Sequence, residues 1–178
     1  MNRRTAIRNV VIISAGAGLL PSCMHGDEKS LIPLQHISLT RPQEKMLVAL
    51  TEAIIPHTTD FIGANDLKAH EFVLTMVDDC LSPEDQKQFE EGMKAFDKLS
   101  HEKYGQLFTS YTAEQKRGLL TALESKKDIP EDALKFYQAV RRYTVQCFTS
   151  SRDYMMGIRK YQMVPGPVFK GCVPLAKA

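Results

Sequence analysis

The residues of this 178-residue chain able to do chemistry gather most densely between Pro56 and Asp66, in the stretch PHTTDFIGAND. His57, Asp60 and Asp66 are the residue types of a general acid–base site, because imidazole titrates near neutrality and a carboxylate can orient it. The same stretch is rich in turn-formers, and histidines and carboxylates in such loops more often cap and solvate than catalyse. The five histidines, His25, His36, His57, His70 and His101, include no pair three or four residues apart on one helix, the spacing of a metal pair. There is no Cys-x-x-Cys, no Cys-x-x-Cys-His for covalent haem, no Gly-x-Ser-x-Gly and no glycine-rich phosphate loop outside the first twenty residues. The expectation is a chain with no catalytic, cofactor-binding or metal-binding residue of its own. Arg141-Arg142 and Arg159-Lys160 read as solvated helix-end charges, with binding to an anion or to a partner's acids as the sharper alternative.

A different chemistry is written at the N-terminus. Arg3-Arg4 precede an apolar run, Val10–Leu20, of eleven residues, whereas a membrane-spanning helix needs about 20. A basic flank, a short and mildly apolar core and small residues after it make a signal peptide, and the adjacent arginines mark the twin-arginine version. Leu20-Pro21-Ser22-Cys23 follows and resembles a bacterial lipobox, which would make lipidated Cys23 the mature N-terminus. The plainer alternative is cleavage near Ser22 with Cys23 an ordinary thiol. Residues 1–22 are thus expected to be a signal read by the twin-arginine translocase. Residues 23–39 should be a flexible tether, and residues 40–178 one helical domain.

Removing residues 1–22 leaves 156 residues, enough for one domain with its own core. It also removes three arginines and no acid, so the formal charge falls from +2 to −1. A near-neutral chain is a poor nucleic-acid binder. Of the remaining cysteines, Cys80, Cys147 and Cys172, any two could pair in an oxidising compartment, leaving an odd thiol that is buried or bonded to a partner.

The elements that position these residues read as helices throughout. Thr40 with Gln43 fits a capping box, Met46, Leu47, Leu50, Ala53 and Ile54 share a face, and Pro56 ends the helix. A second helix is expected from about Asp66 to Cys80, with Leu67, Phe72, Val73, Met76, Val77 and Cys80 inward. Ser82-Pro83-Glu84-Asp85 starts a third, which Gly105 closes. Thr112 with Gln115 starts a fourth, carrying Leu119, Leu120 and Leu123 inward. Pro130 starts a fifth, the most apolar, with Phe136, Tyr137, Val140, Tyr143, Thr144, Cys147 and Phe148. A short segment near Asp153–Tyr161 should bury Met155 and Met156, and the last residues form an irregular apolar tail. The architecture expected is an all-α single-domain bundle of five to six helices.

The run Leu50-Thr51-Glu52-Ala53-Ile54-Ile55-Pro56, then Thr59-Asp60 and Gly63-Ala64, then an acidic helix ending at Cys80, resembles the gluconate 2-dehydrogenase subunit 3 family. The likeness continues through Phe136–Phe148 and the tail Gly166-Pro167…Gly171-Cys172. The resemblance implies a small accessory subunit of a membrane-bound sugar or sugar-acid dehydrogenase. In such complexes FAD sits in a large subunit of the glucose–methanol–choline type, and a cytochrome c subunit carries haem. The small subunit escorts the folded flavoprotein out of the cytoplasm and stays bound. Partner contacts implied are Pro56, Asp60, Gly63 and Ala64 in the loop and Gly166, Pro167 and Cys172 in the tail. Two other readings stand beside this one: a stand-alone envelope lipoprotein adaptor, and a small enzyme using the His57/Asp60 loop.

Overall fold

Local signals in the chain start and stop each helix of the computed structural model, which describes residues 29–126 and 129–161. Helix α1, Arg41–Ile54, begins where the Thr40 N–H donates to Gln43 Oε1 at 2.9 Å, closing its capping box. Helix α2 is Ala69–Cys80 and helix α3 is Pro83–Tyr104. α3 opens on Ser82, whose Oγ accepts the Asp85 N–H, and closes on Gly105 at φ 69°, a left-handed position suited to glycine. A 3-10 turn, Phe108–Ser110, leads into α4, Ala113–Ser125, where Thr112 and Gln115 form a second reciprocal capping box. Helix α5, Glu131–Ser150, starts at Pro130 with acids in its first turn, and a π-helical turn, Asp153–Ile158, follows it. Among the described residues there is no strand beyond an isolated Lys29–Thr40 bridge. The fold is all-α.

α5 is the central helix. It makes its largest interface with α3 and also touches α2 and α1. The α3–α5 approach is close because Gly92 faces α5: a Cβ there would stand 2.7 Å from the Asp132 carbonyl oxygen and from Phe136 Cβ. Around that crossing, Phe136 stacks between Phe89 and Phe96 at centroid distances of 5.0 and 5.5 Å. The aromatic series continues from Phe96 through Phe108 and Tyr111 to Tyr104. Such tilted pairs add attraction beyond the area they bury. The Tyr111 hydroxyl donates to the Ser100 carbonyl, so the phenol is buried with a partner.

Several sequence expectations are corrected here. α2 begins at Ala69 rather than Asp66, because the Asp66 carboxylate is engaged by the preceding loop and Lys68 takes a left-handed turn at φ 51°. Val73 and Val77 are buried and Phe72 and Met76 pack against the core as their spacing predicts, but the inward face is broader and stops short of Cys80. Ala69, Val73, Leu74, Val77 and Asp78 are buried, while Cys80 is exposed. Met156 is 56 % exposed rather than core, because the π-helical turn lies outside the bundle and buries none of its residues.

Residues 29–39 depart from the picture of a free tether. Ile37 and Leu39 are buried in the core, and Ser30 N–H donates to the Leu39 carbonyl at 3.0 Å. Asp78 of α2 binds the strap. Its Oδ2 accepts the Gln35 N–H at 2.7 Å, and its Oδ1 accepts those of His36 and Ile37 at 2.7 and 2.9 Å. Leu31 and Ser38 N–H groups donate to Glu44 and Glu90. Arg3, Arg4 and Cys23, with the rest of the expected signal, lie outside the described residues, as do Gly166, Pro167 and Cys172.

Candidate functional site

The loop after α1 is built from both of its ends. Glu52, in the last turn of α1, accepts the His57 N–H on Oε1 at 3.0 Å and the Asn65 N–H on Oε2 at 3.3 Å. Its carboxylate thereby spans the neck of the loop. Ala64 N–H returns to the Ile55 carbonyl at 2.8 Å, and the Ala64 carbonyl accepts from Ala69 at 2.9 Å, which ties the loop to the start of α2. The tip is a turn in which Thr58 and Phe61 exchange hydrogen bonds. Gly63 is required by space: a Cβ there would stand 2.5 Å from the His57 nitrogen.

Of the three candidate acid–base residues, the fold brings two together. His57 Nδ1 lies 2.7 Å from Asp66 Oδ2, and the same oxygen accepts the Gly63 N–H at 2.7 Å. The hydrogen bond and charge of Asp66 raise the His57 pKa above its ordinary value. In return, His57 and then the Gly63 N–H hold the Asp66 carboxyl below the usual range. Both side chains are exposed, 63 % and 44 %. A solvated ion pair of this kind fastens a loop, and among the described residues no hydroxyl or thiol nucleophile is hydrogen-bonded to the imidazole. Asp60 stands apart on the exposed tip.

The expected partner contacts in this loop divide. Pro56 and Asp60 are on its surface, whereas Gly63 and Ala64 are buried and shape it from inside. Phe61, which sequence reasoning missed, is 52 % exposed at the tip. Its signal was there to be read, since an aromatic inside a polar turn has no helix face to join.

Two open grooves flank α4. One, of about 450 Å³, lies between α4 and the end of α1, where Ala53, Pro56 and Leu120 meet Lys116 and Arg117. The other, of about 620 Å³, lies between α4 and α5 and contains Arg141 and Arg142. Arg141 Nε is 3.8 Å from Glu124, and Arg142 donates to the Tyr143 hydroxyl at 2.7 Å while its guanidinium lies over the Tyr143 ring. Tyr137, donating to Glu124 at 3.3 Å, has its pKa pushed up to about 12 by burial and by the Glu124 charge, so it stays a neutral phenol. Arg159 and Lys160 are exposed beyond the π-helical turn.

Among the described residues no three histidine, cysteine or carboxylate side chains gather to hold a metal ion. His70 is half-buried, and partial burial lowers its pKa, leaving a neutral ring whose Nδ1 has no hydrogen-bond partner among the described residues. Cys80 is exposed and Cys147 half-buried, each with a free thiol in this structure, and burial pushes the Cys147 thiol pKa up. No helix among the described residues is long and apolar enough to cross a membrane.

Among the described residues there is no strand–glycine loop–helix unit of the kind that cradles a dinucleotide pyrophosphate. Searches of curated proteins and of solved structures returned no match. A family model described as gluconate 2-dehydrogenase subunit 3 matches residues 41–166. The match starts at the first residue of α1 and covers all five α-helices of the described residues, the neck of the loop with its His57–Asp66 pair, and both grooves. On that match, spanning well over half of its length, the chain belongs to the gluconate 2-dehydrogenase subunit 3 family.

Proposed function

We propose that this chain is a non-catalytic accessory subunit that escorts, stabilises and anchors a large FAD-dependent dehydrogenase of sugars or sugar acids in the cell envelope. The family match over the whole helical domain carries the reading. The N-terminus supports it: Arg3-Arg4 ahead of a short apolar run suits export of an already folded complex, and Cys23 after Leu20 suits a lipid anchor. FAD, and haem c where a cytochrome subunit is present, belong to the partners in this reading.

The molecule's own chemistry is consistent with action by contact. The His57–Asp66 pair is spent on holding a loop, and open grooves lie on both sides of α4. Pro56, Phe61 and Asp60 at the loop tip offer an apolar and acidic surface next to the smaller groove.

The test is purification of the full chain from native membranes in mild detergent, read by flavin absorbance and mass spectrometry. A stoichiometric flavoprotein is expected, and deletion of this chain should leave that flavoprotein in the cytoplasm or inactive. A fully active, exported flavoprotein in the deletion strain would end the escort reading. A lone lipoprotein with no flavin would instead favour the envelope adaptor.

A further inference from the structure

The groove between α4 and α5 has a floor of core side chains, Leu123 and Tyr137, and walls of side chains that the helical core does not consume. Positions 134, 138, 141, 142 and 145 of α5 follow three- and four-residue steps along one face. They point away from Ala133, Phe136, Val140 and Thr144, which face the core. The face is about 17 Å long at 1.5 Å per residue. Its floor is apolar: Leu123 and Tyr137 are buried beneath it, and Val145 is left 40 % exposed. Its rim is cationic, with Lys126, Arg141 and Arg142 and one carboxylate, Glu124, among the described lining residues. The Arg141–Glu124 pair is long at 3.8 Å and exposed on both sides, so it holds Arg141 only weakly. An apolar trough framed by arginines has the composition of an interface core and rim rather than of a solvated helix face.

We propose that this groove is a docking surface for an acidic segment of a partner polypeptide that carries apolar side chains between its carboxylates. Charge complementarity selects that occupant. A second copy of this chain bound about a two-fold axis would set the same cations against each other, which is repulsive. A lipid surface is flat, whereas here the apolar floor lies beneath the cationic rim. That the segment belongs to the large dehydrogenase subunit rests on the function proposed above; its acidic and apolar character rests on the groove alone.

Two measurements separate these layers. In the first, the full chain is co-expressed with the large flavoprotein subunit, and association is compared for wild type, Lys126→Glu/Arg141→Glu and Arg141→Lys. Both charge-reversal positions are exposed, and circular dichroism checks that the variants keep their helices. The double variant should weaken association at least tenfold and flatten its salt dependence, with Arg141→Lys close to wild type. Association of the double variant equal to wild type would overturn the groove while leaving the accessory-subunit reading intact.

In the second, the purified chain is titrated with a labelled 16-residue amphipathic peptide with glutamates flanking a leucine stripe. Saturable binding that the double variant loses, and that a lysine-for-glutamate peptide does not show, supports the groove even if no flavoprotein associates. The proposal is overturned by no peptide binding, by tighter binding to anionic phosphatidylglycerol vesicles than to the peptide, or by a wild-type dimer that Arg141→Glu dissociates.

Discussion

Among the described residues, Asp78 and Asp66 gather backbone N–H groups, and they do so in opposite surroundings. Asp78 is buried on α2 and holds three successive N–H groups of the strap at residues 35–37. Asp66 is exposed and holds one N–H and the His57 ring. Burial alone would raise the Asp78 pKa, yet its three N–H donors outweigh burial and keep the carboxyl below the ordinary carboxylate range. A buried, fully engaged carboxylate is costly to disturb, because its removal strands a buried donor at Ile37, whereas a solvated one is readily replaced by water. The strap is therefore part of the fold, and the loop pair is a local adjustment of its surface.

The comparison breaks most sharply at Asp78. Asp78→Ala should lower stability by about 3 kcal/mol, the range for losing hydrogen bonds to a buried charged group. That corresponds to a fall in Tm on the order of 10 °C by thermal denaturation. Hydrogen exchange should rise at residues 35–37 and leave the α3–α5 core protected until global unfolding. If exchange at the strap were unchanged, the strap would not depend on this carboxylate.

Gly63→Ala should come next. The new Cβ would meet backbone rather than a flexible side chain, so the loop must shift, at about 1–2 kcal/mol. Amide shifts in a heteronuclear NMR spectrum should be confined to residues 55–69. A spectrum indistinguishable from wild type would mean that the close approach to His57 is relaxed in solution.

pH separates the two aspartates. Asp78 stabilises fully above the ordinary carboxylate value of 3.8, and its contribution is lost as pH falls through its lower folded value. Acid should therefore release the strap, seen as loss of protection at Ile37. His57 has a raised pKa, so its contribution is complete below 6.5 and is lost as pH rises through the raised value; Asp66 sets the acid limit. Between pH 6 and 9 the Gly63 amide should exchange faster than the pH dependence of intrinsic exchange accounts for, while the Ile37 amide follows it. His57→Ala should abolish that excess at Gly63 with little change in Tm. The smallest effect is expected at Asp60→Ala, which should leave Tm unchanged because the side chain is on the exposed tip. A drop in Tm there would reveal a role for Asp60 inside the loop.

The helical plan was legible because its signals are local. The capping residues Thr40, Ser82 and Thr112 act three residues ahead, and Pro83, Pro130 and Gly105 set backbone angles where they stand. The apolar faces of α1, α3 and α5 follow the helical period, so Leu47, Phe96 and Val140 are buried as their spacing predicts. The loop was recognised from its turn-formers, and the family resemblance from its residues agrees with the match over 41–166.

Tertiary structure decided the rest, for reasons that spacing does not carry. Asp78 looks like one more acid at the end of an acidic helix, since its partners lie 41 to 43 residues away. The start of α2 moved because Asp66 bonds to His57, nine residues earlier, instead of capping its own helix. Gly63 and Ala64 turned inward because the loop folds back onto Ile55. Met156 stayed outside because apolar character states a preference for burial, while the packing of the neighbouring helices decides whether there is anything to be buried against. Contacts within a turn of helix are encoded by residue type and spacing; contacts across forty residues exist only once the chain has closed on itself.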